Sequence, residues 1–172
     1  MTNHLIRQET ERLRIRPLPM DDVDSWNVFL TDNDATKHII IDNINDTILA
    51  ENWVKKQLAR YKKSGFGLMA LEDKATGNFI GQCGLLEQIV DGVTEVEIGY
   101  HMLPKYWGHG YATEAATYFK NYAFENNIAD SVISMILPDN VGSQMVASRN
   151  GMIKEKTIIW RGMKAYVYRV HK

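Results

Sequence analysis

The chain has one cysteine, Cys83, so no internal disulfide can staple it, and a reducing, cytoplasmic location is the expectation. Cys83 lies in an apolar stretch and reads as a small buried hydrophobe rather than a nucleophile. No apolar run approaches the roughly 20 residues needed to cross a bilayer. The opening M-T-N-H-L-I-R-Q-E-T-E-R lacks the apolar centre of a signal peptide. An excess of one charge is missing too: 20 Lys and Arg against 21 Asp and Glu leave a net charge of -1, with no broad basic field for nucleic acid. His4, His38 and His171 have no metal-ligand spacing with one another or with Cys83, so no metal is expected. No repeat, linker or low-complexity segment interrupts the chain. What remains is ordinary for a globular protein: 172 residues, 45% hydrophobic and 24% charged, enough for one core in a single domain spanning 1–172.

The chain is organised around Glu97 to Ala116, E-I-G-Y-H-M-L-P-K-Y-W-G-H-G-Y-A-T-E-A-A. From Val93 to Met102 apolar residues alternate. Val96, Ile98, Tyr100 and Met102 share one face; Glu95, Glu97 and Gly99 share the other, which predicts a strand. Pro104 cannot donate to a ladder and ends it. Gly108 and Gly110 bracket a turn. Ala112, Ala115, Ala116, Phe119, Tyr122 and Ala123 then recur at helical spacing.

A strand, a glycine loop and a helix start together form an anion-holding device. The first helical turn has N–H groups without partners, and glycines let that backbone approach a phosphate. The nucleotide-hydrolase loop G-x-x-x-x-G-K-[ST] is absent, because no Gly-Lys-Ser/Thr follows. The dinucleotide fingerprint G-x-G-x-x-G is absent too, because Thr113 stands at its third glycine. On the glycines alone, a plain turn before a helix and another kind of anion loop both stand.

Trp107 to Ala112, W-G-H-G-Y-A, resembles the acyl-CoA pyrophosphate loop of the GNAT N-acetyltransferase superfamily, [QR]-x-x-G-x-[GA]. Gly110 and Ala112 match its last two fixed positions; Trp107 stands where Gln or Arg is usual. E-I-G-Y before the loop, Y-A-T-E-A after it and P-D-N-x-x-S at Pro138 to Ser143 resemble the RimJ/RimL-like branch, the ribosomal-protein N-terminal acetyltransferases. The resemblance runs from about Glu9 to Tyr168. It implies an α+β fold (α/β by some schemes), a mixed, mostly antiparallel sheet of about seven strands flanked by about four helices.

The other segments are read from their own patterns. Arg12 to Leu18 reads as an exposed edge strand whose arginines form a solvated face. Met20 to Leu30 reads as a helix with Val23, Trp26, Val28, Phe29 and Leu30 inward. Thr31 to Asn45 is polar and irregular, with a turn or loop at His38 to Ile41. A second helix runs from Asp46 or Thr47 to about Lys63, with Ile48, Leu49, Trp53, Val54, Leu58 and Tyr61 buried. Its lysines and Arg60 read as solvated. Phe66 to Leu71 and Phe79 to Val90 are strands, and Asp91-Gly92 turns the second into the organising strand as a hairpin. Ser131 to Leu137 is a strand. Asn140 caps a helix on which Val141, Met145, Val146 and Arg149 face one way, and Asn150-Gly151 ends it. Ile153 to Trp160 and Met163 to Val170 close the chain as a hairpin.

The resemblance implies acetyl-CoA as co-substrate and an amine as acceptor. Its pyrophosphate would rest on backbone N–H groups of Trp107, Gly108, His109, Gly110, Tyr111, Ala112 and Thr113. Backbone groups of Tyr100, His101 and Met102 would pair with the pantetheine arm like an added strand, and Asn140 would contact that arm or cap its helix. Glu97 is the first choice of base and Glu95 the alternative. The tyrosine acid of many relatives aligns with Ala147, leaving Ser143 as the donor toward sulfur or as a residue that only satisfies backbone. Trp26, Phe29, His38 and Ile39 are the acceptor-side candidates. Trp160 and Tyr166 are either further walls or core. An acidic residue common in the last hairpin of that branch is absent between Lys156 and Lys172. The acceptor readings are a protein N-terminal α-amine, or a polyamine, aminoglycoside or amino acid. A non-catalytic acyl-CoA sensor is the other class, and monomer and homodimer both stand.

Overall fold

The computed structural model describes residues 7–39 and 46–172. Its frame is an eight-stranded sheet in the order β1-β2-β3-β4-β5-β6-β8-β7. The strands are β1 (Gln8–Glu9), β2 (Leu13–Arg16), β3 (Leu68–Asp73), β4 (Phe79–Val90), β5 (Val93–Met102), β6 (Ser131–Ile136), β7 (Ile153–Trp160) and β8 (Met163–His171). The helices are α1 (Val23–Leu30), α2 (Asn33–Thr36), α3 (Leu49–Ser64), α4 (Tyr111–Glu125) and α5 (Val141–Arg149). Every neighbouring pair is antiparallel except β5 and β6. The parallel pair needs a crossover, and α4 supplies it.

The alternation of side chains sorts the two faces. Met69 and Leu71 of β3, Cys83 and Leu85 of β4 and Ile98 and Met102 of β5 join Ala115, Ala116, Phe119 and Ala123 of α4 in the main core. Ala70 instead packs with Val54 of α3 and Leu18. Trp26, Phe29 and Leu30 of α1 form a further cluster with Ala50 and Leu103. Helices α1 and α3 therefore cover the face opposite α4. Residues Glu97, Gly99 and His101 of β5 turn to the α1–α3 face.

Turn chemistry sets most boundaries. Asp91 and Gly92 both adopt left-handed angles between β4 and β5, as do Arg161 and Gly162 between β7 and β8. Gly65 caps α3 in the left-handed conformation. The side chain of Asn140 accepts from Ser143 N–H at the start of α5.

The structure corrects several expectations. The first strand is not the edge, because β1 pairs outside β2. Its arginines are not a solvated face. Arg16 grips Asp22 with two hydrogen bonds of 2.6 and 3.0 Å and Glu72 with one of 2.7 Å, and Asp22 is buried. Their alternation reflected ion pairing across an edge. Val28 and Ile48 point outward, 59% and 51% exposed, while Ala50 and Gln57 take inward positions. Helix α2 lies within the stretch expected to be irregular, because the side chain of Asp32 accepts from Asp34 and Ala35 N–H and starts a turn. On α5 the buried residue is Ala147, and Val141 and Met145 are exposed. The expected turn or loop at His38 to Ile41 extends past Ile39 into residues outside the described set, as does His4.

Gly84 lies in β4 between β3 and β5. It pairs with Leu68 and Gly99, and a Cβ there would meet Gly67 O at 2.0 Å and Leu68 Cα at 2.9 Å. Both obstacles are backbone and cannot step aside. Gly84→Ala is expected to cost about 3 kcal/mol in urea unfolding; an unchanged midpoint would refute this close approach.

Candidate active site

Strands β5 and β6 pair at one position, Glu97 with Ile133. Beyond it they part, and side chains take up the backbone groups left at the split. Ser134 Oγ donates to Ile98 O at 2.9 Å, and Met135 N–H donates to Glu97 Oε1 at 3.3 Å. Further along β5, Trp107 Nε1 donates to Met102 O at 2.8 Å. Backbone direction alternates along a strand, so Ile98, Tyr100 and Met102 turn their N–H and C=O groups away from β4 and toward the gap. Those of Tyr100 meet no strand there. His101 differs from the expectation: its backbone turns to β4, and its ring lines the cavity instead.

The cavity at this split measures about 770 Å³. It is lined from the α4 face by Ala112 and Thr113 and from the α1–α3 face by Phe29, His101 and Arg60, so it passes through the sheet where the strands part. One rim is the glycine loop. Gly108 and Gly110 both have left-handed φ, 76° and 82°, and Gly110 starts α4 with no side chain capping it. The first-turn N–H groups of α4 therefore have no helical or capping acceptor. Thr113 Oγ1 is buried without a hydrogen-bond partner and lines the same cavity. An uncapped helix start, two side-chain-free loop positions and an orphan hydroxyl fit an anionic group such as a pyrophosphate. His109 does not line the cavity; its Nδ1 lies 2.7 Å from Trp107 O. Asn140 and Ser143 line it from α5, where Tyr100 Oη donates to Ser143 O at 2.9 Å.

Arg12 fixes the loop from outside. Its Nε donates to Glu114 Oε2 at 2.7 Å, its Nη1 donates to His109 O at 2.8 Å, and its guanidinium lies 4.4 Å from the centre of the Tyr111 ring. Thr10 Oγ1 and Arg12 N–H also donate to Glu114. The acid in the first turn of α4 is thus drawn to β2 and away from the cavity.

Glu97 is buried, 8% exposed, and lines the cavity. Gln88 Nε2 donates to its Oε2 at 2.7 Å. Burial raises its pKa above the usual carboxylate range, against those hydrogen bonds and the cationic Arg60 and Arg161. The alternative acid behaves oppositely. Glu95 holds Arg169 in two hydrogen bonds of 2.6 and 3.0 Å, which lower its pKa, and it does not line this cavity. Of the two acids on that face of β5, only Glu97 presents a basic oxygen to the cavity.

The opposite wall is aromatic. Phe29, His38 and Ile39, three of the four acceptor-side candidates, line the cavity. Trp26 is a correction: it is wholly buried, stacked at 4.3 Å against Phe29, and stops short of the cavity. The rings of Trp26, Phe29 and Trp53 surround His101, whose pKa burial lowers to about 4, so that imidazole is neutral at physiological pH. His38 Nδ1 lies 3.5 Å from Asp139 Oδ1. Trp160 lines the cavity, whereas Tyr166 does not and sits beneath the ammonium of Lys154.

Sequence reasoning missed Gln88, which orients the Glu97 carboxyl, Arg12, which clamps the loop, and Lys56, Arg60 and Arg161, which line the cavity. Arg60 lay in a basic run that reads as solvated, and only the packing of α3 on the sheet brings it inward. Cys83 is buried, and burial raises its thiol pKa, so it remains a core residue. Among the described residues, no cluster of His, Cys, Asp and Glu could hold a metal, and no helix is long and apolar enough to cross a membrane.

Known proteins share both sequence and fold. The family described as acetyltransferase (GNAT) domain matches residues 12–153. The protein YkkB of Bacillus subtilis (strain 168) is 36% identical over 150 residues, covering 87% of this chain and 86% of that protein. Among solved structures, an acetyltransferase from Agrobacterium tumefaciens str. C58 superposes with a TM-score of 0.83 at 27% identity, covering 97% of this chain and 95% of the other. The RimL ribosomal L7/L12 alpha-N-protein acetyltransferase, solved in complex with coenzyme A, has a TM-score of 0.80 at 13% identity, covering 96% and 97%. That last likeness is one of fold.

The raised pKa of Glu97 has a sign that stability measurements can read. Below the carboxylate pKa of the unfolded chain, the group is protonated in both states and costs nothing. As pH rises toward the folded pKa, the unfolded chain ionises first and stability falls. Glu97→Gln removes that loss. Its melting temperature relative to the parent protein is expected to rise between pH 4 and pH 8; a difference that shrinks over that range would contradict a buried carboxyl of raised pKa.

Proposed function

The chain belongs to the GNAT acetyltransferase family and is an N-acetyltransferase, and we propose that it moves an acetyl group from acetyl-CoA to a primary amine in the cavity at the β5–β6 split. One observation carries the reading: the buried carboxyl of Glu97 lines the same cavity as the uncapped start of α4.

Bound acetyl-CoA would supply an acetyl group activated as a thioester. The pyrophosphate would be held by N–H groups of Gly108, Gly110, Tyr111, Ala112 and Thr113 and by the orphan Thr113 hydroxyl. The backbone of Tyr100 would pair with the pantetheine arm, as an added strand pairs with an open edge. On the acceptor side, an ammonium cannot attack and must first lose a proton. Glu97 takes it, directly or through water, and its raised pKa brings it closer to the working pH than an ordinary carboxylate. An α-amine has a pKa near 8 against about 10.4 for lysine, so neutralising it costs roughly 3 kcal/mol less. That difference favours an α-amine, as at a protein N-terminus, with small amines as the second reading. The RimL fold neighbour, an alpha-N-protein acetyltransferase, supports the first.

Ser143 has two roles in this reading. Its N–H donates to Asn140 Oδ1 in the cap of α5, and its carbonyl accepts from Tyr100 Oη. The cap holds the first turn of α5 against the gap, and the Ser143 hydroxyl is assigned to the departing thiolate. No tyrosine stands at Ala147, which is buried.

Thiol release from acetyl-CoA at pH 8, measured against peptides with Ser, Ala and Met termini, spermidine, an aminoglycoside and free amino acids, tests this. Release with at least one amine is expected. Glu97→Gln should lower kcat by about 10²- to 10⁴-fold and remove the acidic limb of the pH profile, while Ser143→Ala should lower it roughly tenfold. A rise in melting temperature with acetyl-CoA but no release would point to a sensor. Neither release nor stabilisation would sink the donor site itself.

A further inference from the structure

One side chain of the cavity wall is costly to bury and makes no hydrogen bond within the fold. His101 follows Glu97 and Gly99 on one face of β5, and all three line the cavity. Its imidazole is walled by rings of the two helices on that face. Phe29 and Trp26 of α1 have ring centres 5.9 and 6.2 Å away, and Trp53 of α3 has its centre at 5.7 Å. Trp53 is itself pinned, because its Nε1 donates to Gln82 Oε1 at 3.0 Å, and Gln82 stands opposite His101 on β4. Among the described residues neither ring nitrogen of His101 has a hydrogen-bond partner, and neither is sealed from solvent as Trp26 Nε1 and Gln82 Nε2 are. Burial alone shifts this imidazole, and it keeps the ring uncharged at the working pH. A neutral imidazole presents one N–H donor and one bare nitrogen as acceptor.

An apolar ring would pack among Trp26, Phe29 and Trp53 without the desolvation that a polar one incurs. A local rule broken with no return inside the fold points to a ligand. We propose that His101 determines acceptor specificity, its imidazole hydrogen-bonding a neutral amide or hydroxyl of the acceptor while the amine lies at Glu97. This rests on the reading of the Glu97 cavity as the acceptor site and narrows it. The contact falls to the acceptor rather than to the donor because the rings against His101 belong to α1 and α3, whereas α4 and its glycine loop lie on the other face. Four residues of strand separate Glu97 from His101, about 13 Å between their Cα atoms, and Gly99 puts no side chain between them. The amine and the neutral group must then be several bonds apart, farther than a free amino acid allows. An amide further along a peptide has that spacing, and so does a hydroxyl at the far end of an amino alcohol. A bare alkylamine leaves the imidazole desolvated without a partner and is disfavoured for that reason.

The test compares matched acceptors by thiol release from acetyl-CoA: 6-aminohexanol with hexylamine, and a serine-terminated tripeptide amide with serinamide. The member that carries the distant hydroxyl or amide is expected to have about tenfold higher kcat/KM in at least one pair, mainly through KM. Which pair responds tells a hydroxyl from a peptide amide. His101→Phe keeps an aromatic ring and removes both nitrogens. It should raise KM for the favoured member about tenfold, leave KM for the other member and for acetyl-CoA within about twofold, and leave the melting temperature unchanged or higher. His101→Asn or His101→Gln restores a donor and an acceptor and should recover most of the preference, which a packing role would not do. Equal kcat/KM within both pairs of the parent protein overturns this proposal alone, whether or not the variants fold. So does a His101→Phe protein that weakens both members of a pair alike, and so does a rise in KM confined to acetyl-CoA. Release with no member of the panel overturns the transferase reading and this proposal with it.

Discussion

Everything at the site depends on the parting of β5 from β6. A parallel pair that stayed together would satisfy its own backbone and leave nothing for a ligand. Here the pair meets at Glu97 and Ile133 and then opens. An opened strand exposes N–H and C=O groups that must find partners, because a buried backbone group without one costs as much as a lost hydrogen bond. Ser134 and Glu97 take up the first of these groups, Trp107 takes up Met102 O, and those of Tyr100 meet no strand across the split. The split is thus shaped by side chains on both of its edges, and it lets one cavity draw residues from both faces of the sheet.

The loop that rims this cavity is held by a second constraint, which runs through the edge of the sheet. Two left-handed glycines give the loop its course but no rigidity of their own. Rigidity comes from Arg12, which ties the loop carbonyl of His109 to Glu114 in the first turn of α4. Tyr111 Oη adds a bond of 2.7 Å to Asp73 at the end of β3. Residues about a hundred positions apart in sequence therefore fix the loop and the start of α4 together. The pairing also removes a conflict: a carboxylate in the first helical turn would compete with an incoming phosphate, and Arg12 and Thr10 hold that of Glu114 aside.

Two carboxylates on one face of β5 show how position decides chemistry. Glu95 and Glu97 are two residues apart and identical in type. Glu95 meets Arg169 and is held ionised as a structural ion pair. Glu97 is buried at the split, its oxygens receiving one bond each from Gln88 and Met135, and its pKa rises. The first holds β5 to β8. The second lines the cavity as a buried carboxyl, acted on by the cationic Arg60 and Arg161.

Local chemistry was legible in the sequence. The limits of β4 and β5, the left-handed turns at Asp91-Gly92 and Arg161-Gly162, the Asn140 cap and the glycine loop before α4 follow from residues that act within a few positions of themselves. So do the two faces of β5, because a strand alternates whatever surrounds it. Helix α2 was the exception, a short turn begun by Asp32 in a stretch whose composition reads as loop. What needed the tertiary structure were choices made between distant segments. The sequence ranked Glu97 ahead of Glu95 on resemblance alone; Arg169, from the far hairpin, gave Glu95 a partner that Glu97 does not have. It left the arginines of β2 and of α3 as solvated charge; Glu114, Asp22 and Glu72 paired the former, and the packing of α3 on the sheet turned Arg60 into the cavity. It placed Trp26 with Phe29 at the acceptor, and the depth of α1 put the larger ring beneath the smaller one. A side chain's own chemistry fixes which turns and strands it tolerates. Its charge state and its access to a ligand are fixed by what the fold brings against it.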